Sequence, residues 1–235
     1  MIFCSRMSQP LILSVETATL SGSVAVTRGS DVIGVIGGDP DISHSNTLLV
    51  DVDKVLDQTG ILLPDIDLFA VATGPGSFTG LRIGIATIKA LAATLDRPCV
   101  GIPTLEAVAL SAGVSEASVA LLPAGRGEVF TQLFAVRDDG SVEALDEAAH
   151  IPPAILFERY GHLEKLTWCG EGAVVQRELI EKSAVGRDWQ IASQTPQLAP
   201  FVGKLALTRL RNNKLDRPDA MQAIYVRPAD AQLKR

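Results

Sequence analysis

The sequence feature that most constrains the fold is the stretch from residue 68 to residue 95, which reads LFAVATGPGSFTGLRIGIATIKALAATL. Its first residues are apolar, which is typical of a strand that is buried on both faces of a parallel sheet. Glycines follow, and the hydroxyl of Ser77 or Thr79 can cap a helix that runs from about residue 81 to residue 95. The stretch therefore predicts a strand, a glycine turn and a helix whose first amides point back into the turn.

The glycine loop of this unit comprises Gly74, Gly76, Ser77 and Gly80, with Pro75 between the first two glycines. A dinucleotide-binding fingerprint requires G-x-G-x-x-G, but the loop has one residue too many before its last glycine, and Pro75 has no amide hydrogen. A P-loop requires Gly-Lys followed by Ser or Thr, but Gly80 is followed by Leu-Arg. The glycines alone leave two interpretations equally open: a tight connection that serves packing, or a site that a ligand approaches.

Length and composition indicate a globular protein with a large core. The chain has 235 residues, of which 47% are hydrophobic, and it is long enough for one large or two small domains. Cys4, Cys99 and Cys169 are unrelated in spacing, which argues against a disulfide framework or a zinc site. No apolar run approaches the roughly 20 residues of a membrane span, and residues 1–6 lack the core of a signal peptide. We therefore expect a cytoplasmic protein without membrane association.

The charge of the chain is unevenly distributed. The net charge of −6 disfavours free-standing binding to nucleic acid, which usually requires an excess of Lys and Arg. From residue 201 onward the balance reverses, with eight basic residues against three acidic ones. This basic segment is either a solvated chain end or a surface that contacts phosphates. Its cations are Lys204, Arg209, Arg211, Lys214, Arg217, Arg227, Lys234 and Arg235.

The order of the predicted elements repeats once along the chain. Strands are predicted at residues 11–16, 23–27, 32–36, 68–72 and 98–102, and then at 118–122, 129–136, 141–144 and 166–169. Helices are predicted at residues 44–59, 81–95, 105–110, 153–160, 173–182 and 201–211, with an irregular segment at 183–200 and a possible short strand at 223–226. Each half has three strands, a helix, and then a strand, a glycine turn and a helix, which indicates a duplication.

This element order describes a known α/β fold with two lobes. It is the duplicated ribonuclease-H-like fold of actin, sugar kinases and Hsp70, also called the actin-like ATPase or ASKHA fold. The predicted division is a disordered extension at residues 1–10, an N-terminal lobe at 11–112, a C-terminal lobe at 113–212 and a basic tail at 213–235. Either Met1 or Met7 is the start of translation. Because such a fold hosts many functions, function has to be inferred from the sites.

The residues for ATP chemistry in this fold are only partly present. An ATP-using protein needs carboxylates that hold Mg²⁺ and glycine turns in both halves that admit phosphates. Glu16 and Thr17 follow the first strand, and Gly170 and Gly172 form the second glycine turn, but the counterpart of Glu16 is Pro-Ala-Gly at residues 123–125. We interpret these four residues as a vestigial nucleotide cleft, and a free-standing ATPase or kinase of the ASKHA fold is the alternative.

The helix after the glycine loop is apolar around more of its circumference than one core-facing stripe requires. Gly80, Gly84, Thr87 and Ala90 recur at spacings of four, three and three, which forms a low ridge on which a second helix can pack closely. Spacing alone leaves open whether the chain's own helix at residues 44–59 or a partner covers the second side.

The motif GPGSFTGLRIG at residues 74–84 resembles the signature of the bacterial TsaB (YeaZ) family. TsaB is the non-catalytic paralogue of TsaD in the synthesis of threonylcarbamoyladenosine in tRNA. The resemblance includes Glu-Thr-Ala at 16–18, His-Ser at 44–45, Ile-Pro-Thr at 102–104, Gly-Glu-Val at 127–129 and, more weakly, Ala-Ile-Tyr-Val-Arg at 223–227. The chain departs from the family at residues 123–125, where an expected Asp is absent.

The resemblance implies a scaffold without autonomous activity. In the family, TsaB binds TsaD and, with TsaE, permits transfer of threonylcarbamoyl from threonylcarbamoyl-AMP to N6 of the adenosine beside the tRNA anticodon. Metal and substrate would be held by TsaD, whose metal-binding histidine pair is here reduced to His44 and an apolar Leu48. No cofactor is expected on this chain alone. A nucleotide at the heterodimer interface, a homodimer, and tRNA contact through the complex stay open.

The resemblance also implies which helices meet the partner. In the family, two helices pair with the same two helices of TsaD, or of a second TsaB, in a four-helix interface. The implied interface residues are His44, Leu48, Val52, Val55, Gly80, Arg82, Gly84, Thr87 and Ile88.

Overall fold

The computed structural model describes residues 9–39, 44–192 and 197–226, so most of the predicted extension at 1–10 and the end of the basic tail lie outside the described residues. The chain forms two units. The first comprises the described residues up to Thr104 together with 197–224, and the second comprises the described residues from Leu105 to 192 with 225–226. Within the described ranges, no helix is long and apolar enough to cross a membrane.

The first unit is built on a five-stranded mixed sheet. β1 pairs antiparallel with β2, and β2 pairs antiparallel with β3, whereas β4 pairs in parallel with both β1 and β5. β4 is buried over its whole length, as its apolar sequence predicts. The strands are β1 (Leu11–Glu16), β2 (Ser23–Arg28), β3 (Asp31–Gly37), β4 (Leu68–Gly74) and β5 (Cys99–Pro103), in the spatial order β3-β2-β1-β4-β5.

The second unit repeats this topology. Read from the other edge, its sheet has the order β8-β7-β6-β10-β11, in which the first three strands of the unit are antiparallel and the next two are parallel to the first. β9 also pairs with β7. The strands are β6 (Ser115–Gly125), β7 (Glu128–Val136), β8 (Val142–Ala144), β9 (Ala149–Ile151), β10 (Lys165–Cys169) and β11 (Asp188–Ile191). The predicted duplicated ASKHA fold is therefore confirmed.

The α-helices of the described residues follow the predicted order, with two corrections. The helix predicted at 173–182 is two short helices that meet at Gln176, and the segment 183–200, predicted to be irregular, contains β11. The helices are α1 (His44–Thr59), α2 (Phe78–Thr94), α3 (Thr104–Ser111), α4 (Ile155–Tyr160), α5 (Glu171–Val175), α6 (Arg177–Ser183) and α7 (Ala199–Arg211), with a 3₁₀ turn at Leu63–Asp65.

Different helices cover the two faces of the first sheet. Val15 of β1 packs in one cluster with Val52 of α1 and Ile88 of α2, all of them buried. On the other face, the hydroxyl of Ser14 donates a hydrogen bond to the carbonyl of Ala199 at 2.7 Å, at the start of α7. This alternation along β1 follows from the period of two in a strand. Both α1 and α2 therefore belong to one helical layer.

The boundaries of the units differ from the predicted lobes. The predicted boundary at residue 212 assigned α7 to the C-terminal lobe, but α7 packs against β1 and β2 of the first unit. The boundary predicted at 112 also differs, because α3 belongs to the second unit from Leu105 onward. The predicted strand at 223–226 is not a strand, although the amide of Ile224 donates to the carbonyl of Thr73 at 2.7 Å. Each unit thus takes one helix from the other half of the sequence.

Candidate functional site

The glycine loop joins β4 to α2 and is held by its own hydrogen bonds. The hydroxyl of Ser77 accepts from the amide of Gly80 at 3.2 Å, so Ser77 is the helix cap. The helix begins at Phe78, three residues before the predicted start. The amide of Gly74 donates to the hydroxyl of Thr104 at 3.0 Å, which fixes the other end of the loop.

The glycines of the loop and of α2 admit the chain's own backbone. A Cβ added at Gly80 would lie 1.9 Å from the carbonyl oxygen of Thr17, and one added at Gly76 would lie 2.5 Å from that of Ala18. At Gly84 a Cβ would lie 2.3 Å from the hydroxyl of Thr17. Atoms cannot approach this closely, so a side chain at any of these positions would displace residues 17 and 18. The geometry favours the packing interpretation of the loop.

The turn at residues 16–19, here called the 16–19 turn, fills the space beside the loop. The carboxylate of Glu16 accepts from both the amide and the hydroxyl of Thr19, each at 2.8 Å, and Glu16 is 1% exposed. The hydroxyl of Thr17 donates to the carbonyl of Gly80 at 2.8 Å. Glu16 and Thr17 were predicted to line a vestigial nucleotide cleft, but their side chains are buried within the first unit. Both carboxylate oxygens of Glu16 thus accept hydrogen bonds from its own turn.

The second glycine turn has the same packing role in its own unit. Gly170 adopts φ +90°, and a Cβ there would lie 2.4 Å from the carbonyl oxygen of Leu121 in β6. A Cβ at Gly172 would lie 2.8 Å from the Cβ of Leu121. Between them, Glu171 begins α5, and burial raises the pKa of its carboxyl. Each glycine turn thus lets a helix approach the end of the first strand of its unit.

Two of the three histidines, His44 and His150, make contacts within the protein. The Nε2 atom of His44 lies 2.9 Å from the carbonyl oxygen of Thr19, so this nitrogen donates the hydrogen bond. His150 lies 2.7 Å from the carboxylate of Glu128, a pair that sequence spacing did not reveal because it joins β9 to β7. In the part of the chain that the structure describes, no three His, Cys, Asp or Glu residues are grouped as metal ligands.

Most of the predicted interface residues lie inside the first unit. They face the sheet or the 16–19 turn because α1 and α2 bury their apolar stripes against β1, β2 and β4. The chain's own sheet and the 16–19 turn therefore cover these residues, and their assignment to a partner surface stays a prediction. The buried residues are Leu48, Val52, Val55, Gly80, Gly84 and Ile88. His44 and Thr87 are half-buried and Arg82 is exposed, so their role at an interface stays a prediction.

The outer side of the α1–α2 layer carries apolar residues that the sequence analysis did not assign to the interface. Leu49 and Val50 of α1 are 60% and 49% exposed, and Phe78 of α2 is 53% exposed. The guanidinium carbon of Arg82 lies 3.8 Å from the centre of the Phe78 ring. The helical period contained no signal for Leu49, which falls on the same side of α1 as the buried Leu56 seven residues later. The small residues Ala86 and Ala90 are exposed on the same helix as Phe78.

Part of the basic segment is exposed at the end of α7 and beyond. Arg211 and Lys214 are exposed, whereas the exposed guanidinium of Arg217 pairs with the carboxylate of Asp219 at 2.9 Å. The remaining cations near the end of the chain, Arg227, Lys234 and Arg235, lie outside the described residues.

Comparison with known proteins gives consistent matches. The family model described as TsaD, tRNA N6-adenosine threonylcarbamoyltransferase, matches residues 30–217. The tRNA threonylcarbamoyladenosine biosynthesis protein TsaB of Escherichia coli K12 is 32% identical over 155 residues, which cover 65% of this chain and 67% of that protein. TsaB of Bacillus subtilis is 26% identical over 200 residues, 82% of this chain and 86% of that protein. The solved structure of YeaZ from Pseudomonas aeruginosa has the same fold, with a TM-score of 0.76 and 23% identity over 92% of this chain and 100% of that chain.

Proposed function

The chain belongs to the TsaB (YeaZ) family of tRNA threonylcarbamoyladenosine biosynthesis proteins, and from this membership we propose that it is the non-catalytic scaffold subunit of the synthesis complex. It binds TsaD and, with TsaE, permits transfer of threonylcarbamoyl from threonylcarbamoyl-AMP to N6 of the adenosine beside the tRNA anticodon. Metal and substrate are held by TsaD. The observation that carries this proposal is the exposure of three large apolar side chains on α1 and α2, those of Leu49, Val50 and Phe78.

The packing of the glycine loop supports the non-catalytic part of the proposal. The amide of Ser77, the N-cap residue of α2, donates to the carbonyl of Ala18 at 2.8 Å. A phosphate that used this amide would have to displace the 16–19 turn. The carboxylate of Glu16 is likewise engaged by Thr19, and freeing it would leave buried donors unpaired. The isolated chain is therefore not prepared to hold a nucleotide; one bound in the complex would depend on groups from TsaD.

The composition of the exposed surface supports a protein partner. The centres of protein interfaces are enriched in aromatic residues and Arg, and the stacked pair Phe78 and Arg82 supplies both on α2. Ala86 and Ala90 keep the outer side of α2 low, so that a partner helix can approach closely. The same surface can serve a homodimer when TsaD is absent. Arg211 and Lys214 can add contacts to tRNA through the complex, each of which steepens the salt dependence of binding.

The substitution Val50→Asp tests this surface. We expect the affinity for TsaD of the same organism, measured by isothermal titration calorimetry, to fall about tenfold or more, because an unpaired carboxylate would be buried in the interface. Val185→Asp is the matched control, since Val185 is 82% exposed in the second unit and receives the same charge. Circular dichroism would verify that both variants are folded.

Two outcomes would contradict the proposal at different levels. If Val50→Asp binds TsaD as tightly as the unmodified chain does, the partner surface is not on this side of α1. If the unmodified chain does not bind TsaD at all, the scaffold function is wrong. Sedimentation of the chain alone would show whether the same substitution also abolishes self-association.

A further inference from the structure

The 16–19 turn is attached to the beginnings of both α1 and α2. The Nε2 atom of His44, the first residue of α1, donates to the carbonyl of Thr19 at 2.9 Å. The hydroxyl of Thr17 donates to the carbonyl of Gly80 in the first turn of α2 at 2.8 Å. The amide of Ser77, the cap of α2, donates to the carbonyl of Ala18 at 2.8 Å. Three consecutive residues of one turn therefore hold two helices.

The turn itself is held by buried polar groups. Besides donating to Glu16, the hydroxyl of Thr19 accepts from the amide of Gly22 at 3.3 Å. Glu16 and Thr17 are each 1% exposed, and Thr19 is 8% exposed. A buried polar group that loses its hydrogen-bond partner costs more free energy than the bond contributes when it is made. Few alternative conformations of the turn are therefore stable. The turn is therefore a rigid segment to which both helices are hydrogen-bonded.

The ring of His44 is also confined on two sides. Its Cε1 atom lies 2.6 Å from the position of a Cβ at Gly22, and its Cδ2 atom lies 3.3 Å from that of a Cβ at Gly80. Gly22 leads into β2 and Gly80 belongs to α2, so the ring of the first residue of α1 lies close to both backbones. The starts of α1 and α2 are thereby packed against each other through one side chain.

From these contacts we infer that the 16–19 turn sets the relative position of α1 and α2, which makes Thr17 a positioning residue for partner binding. The inference depends on the proposed function, because the partner is the one that binds the outer side of these helices. Thr17 is too buried to contact that partner. A change in affinity on its substitution must therefore be transmitted through α2.

Thr17→Val removes the hydroxyl and keeps the shape of the side chain, whereas Thr17→Ser keeps the hydroxyl. With Thr17→Val we expect the affinity for TsaD, measured by calorimetry, to fall about five- to tenfold at a temperature at which all variants are fully folded. Hydrogen exchange at the first amides of α2 should become faster. Thr17→Ser should keep both the affinity and the exchange rate within about twofold of those of the unmodified chain. A general loss of packing at residue 17 would not predict this result.

Thr94→Val is the control, because Thr94 is an exposed Thr at the other end of the same helix. If Thr17→Val binds TsaD with unchanged affinity while the unmodified chain binds normally, the positioning role is wrong and the scaffold function stands. If Thr17→Val and Thr17→Ser lose affinity equally, the hydroxyl is not the connection and the inference also fails. Failure of the unmodified chain to bind TsaD would contradict the proposed function instead.

Discussion

Gly84 shows how a single missing side chain supports the packing of the first unit. A Cβ at this position would lie 2.3 Å from the hydroxyl of Thr17 and 3.3 Å from a methyl group of Val71. We expect Gly84→Ala to lower the free energy of unfolding by about 1–3 kcal/mol, the usual range for overpacking, although Ala forms helices better than Gly by about 1 kcal/mol. Thermal unfolding would measure the loss. Ala90→Ser, at an exposed position of the same helix, is the control and should change stability by less than about 0.5 kcal/mol. A Gly84→Ala variant that is more stable than the unmodified chain would contradict the close packing of Gly84 against Thr17.

The two cysteines of the described residues are predicted to be chemically inert. Both Cys99 and Cys169 are buried free thiols. Burial raises the pKa of Cys99 to about 11, with a further contribution from the charge of Asp216, and burial raises the pKa of Cys169 to about 12. Because the thiolate is the reactive form, iodoacetamide at about pH 8 should leave both unmodified in the folded protein and modify both after unfolding. Peptide mapping by mass spectrometry would test this, and rapid alkylation of either cysteine in the native state would contradict it.

At the scale of elements, the short helix α5 carries a pH-dependent contribution to stability. Burial raises the pKa of Glu171, so the folded state binds this proton more tightly than the unfolded state does. The contribution is therefore fully present below the unfolded pKa of about 4.3 and is lost as the pH rises through the folded value. We expect Glu171→Gln to reduce the loss of thermal stability between about pH 4 and about pH 8. Glu178→Gln, at an exposed position of α6, should leave that difference unchanged, and equal effects of the two substitutions would argue against a raised pKa of the half-buried Glu171.

The elements that could be predicted from sequence are those whose signals are local. β4 and the glycine loop were recognisable because a run of apolar residues and a set of glycines each act within a few residues. β11 was missed because it is an edge strand whose Asp-Trp-Gln-Ile sequence leaves alternate side chains exposed. The place of α7 in the first unit could not be inferred either. Its contact with Ser14 joins residues 185 positions apart in the chain, and neither propensity nor periodicity reports such a separation.

The same limit applies to the candidate site. Periodicity predicted correctly that α1 and α2 each have an apolar stripe, but it could not tell which apolar residues face the chain's own sheet. Val55 and Ile88 are buried in that core, whereas Leu49 and Val50 are exposed, although all four have similar side chains. Gly80 and Gly84 looked like a surface ridge because the contact that requires them, Thr17, lies more than sixty residues earlier in the sequence.

At the scale of the whole molecule, the glycine turns of both units have the same packing role. Both units keep the strand, glycine turn and helix that ATP-using proteins of this fold employ, yet in each unit the turn packs on the chain's own first strand or the turn that follows it. In the first unit Ala18 accepts the amide of Ser77, and in the second unit Leu121 lies against both Gly170 and Gly172. What the fold keeps is the framework that positions α1 and α2.

This packing predicts that the isolated chain binds nucleotides weakly. We expect calorimetric titration with ATP and Mg²⁺ to show no saturable binding tighter than about 1 mM, a free energy of only about −4 kcal/mol, because binding at the glycine loop would have to displace the 16–19 turn. Addition of TsaD provides the comparison, since groups from the partner can create a site that the chain lacks. Micromolar binding by the chain alone, abolished by Glu16→Ala but not by Glu178→Ala at an exposed position, would identify Glu16 as a nucleotide ligand. That result would replace the scaffold with a free-standing ATPase or kinase.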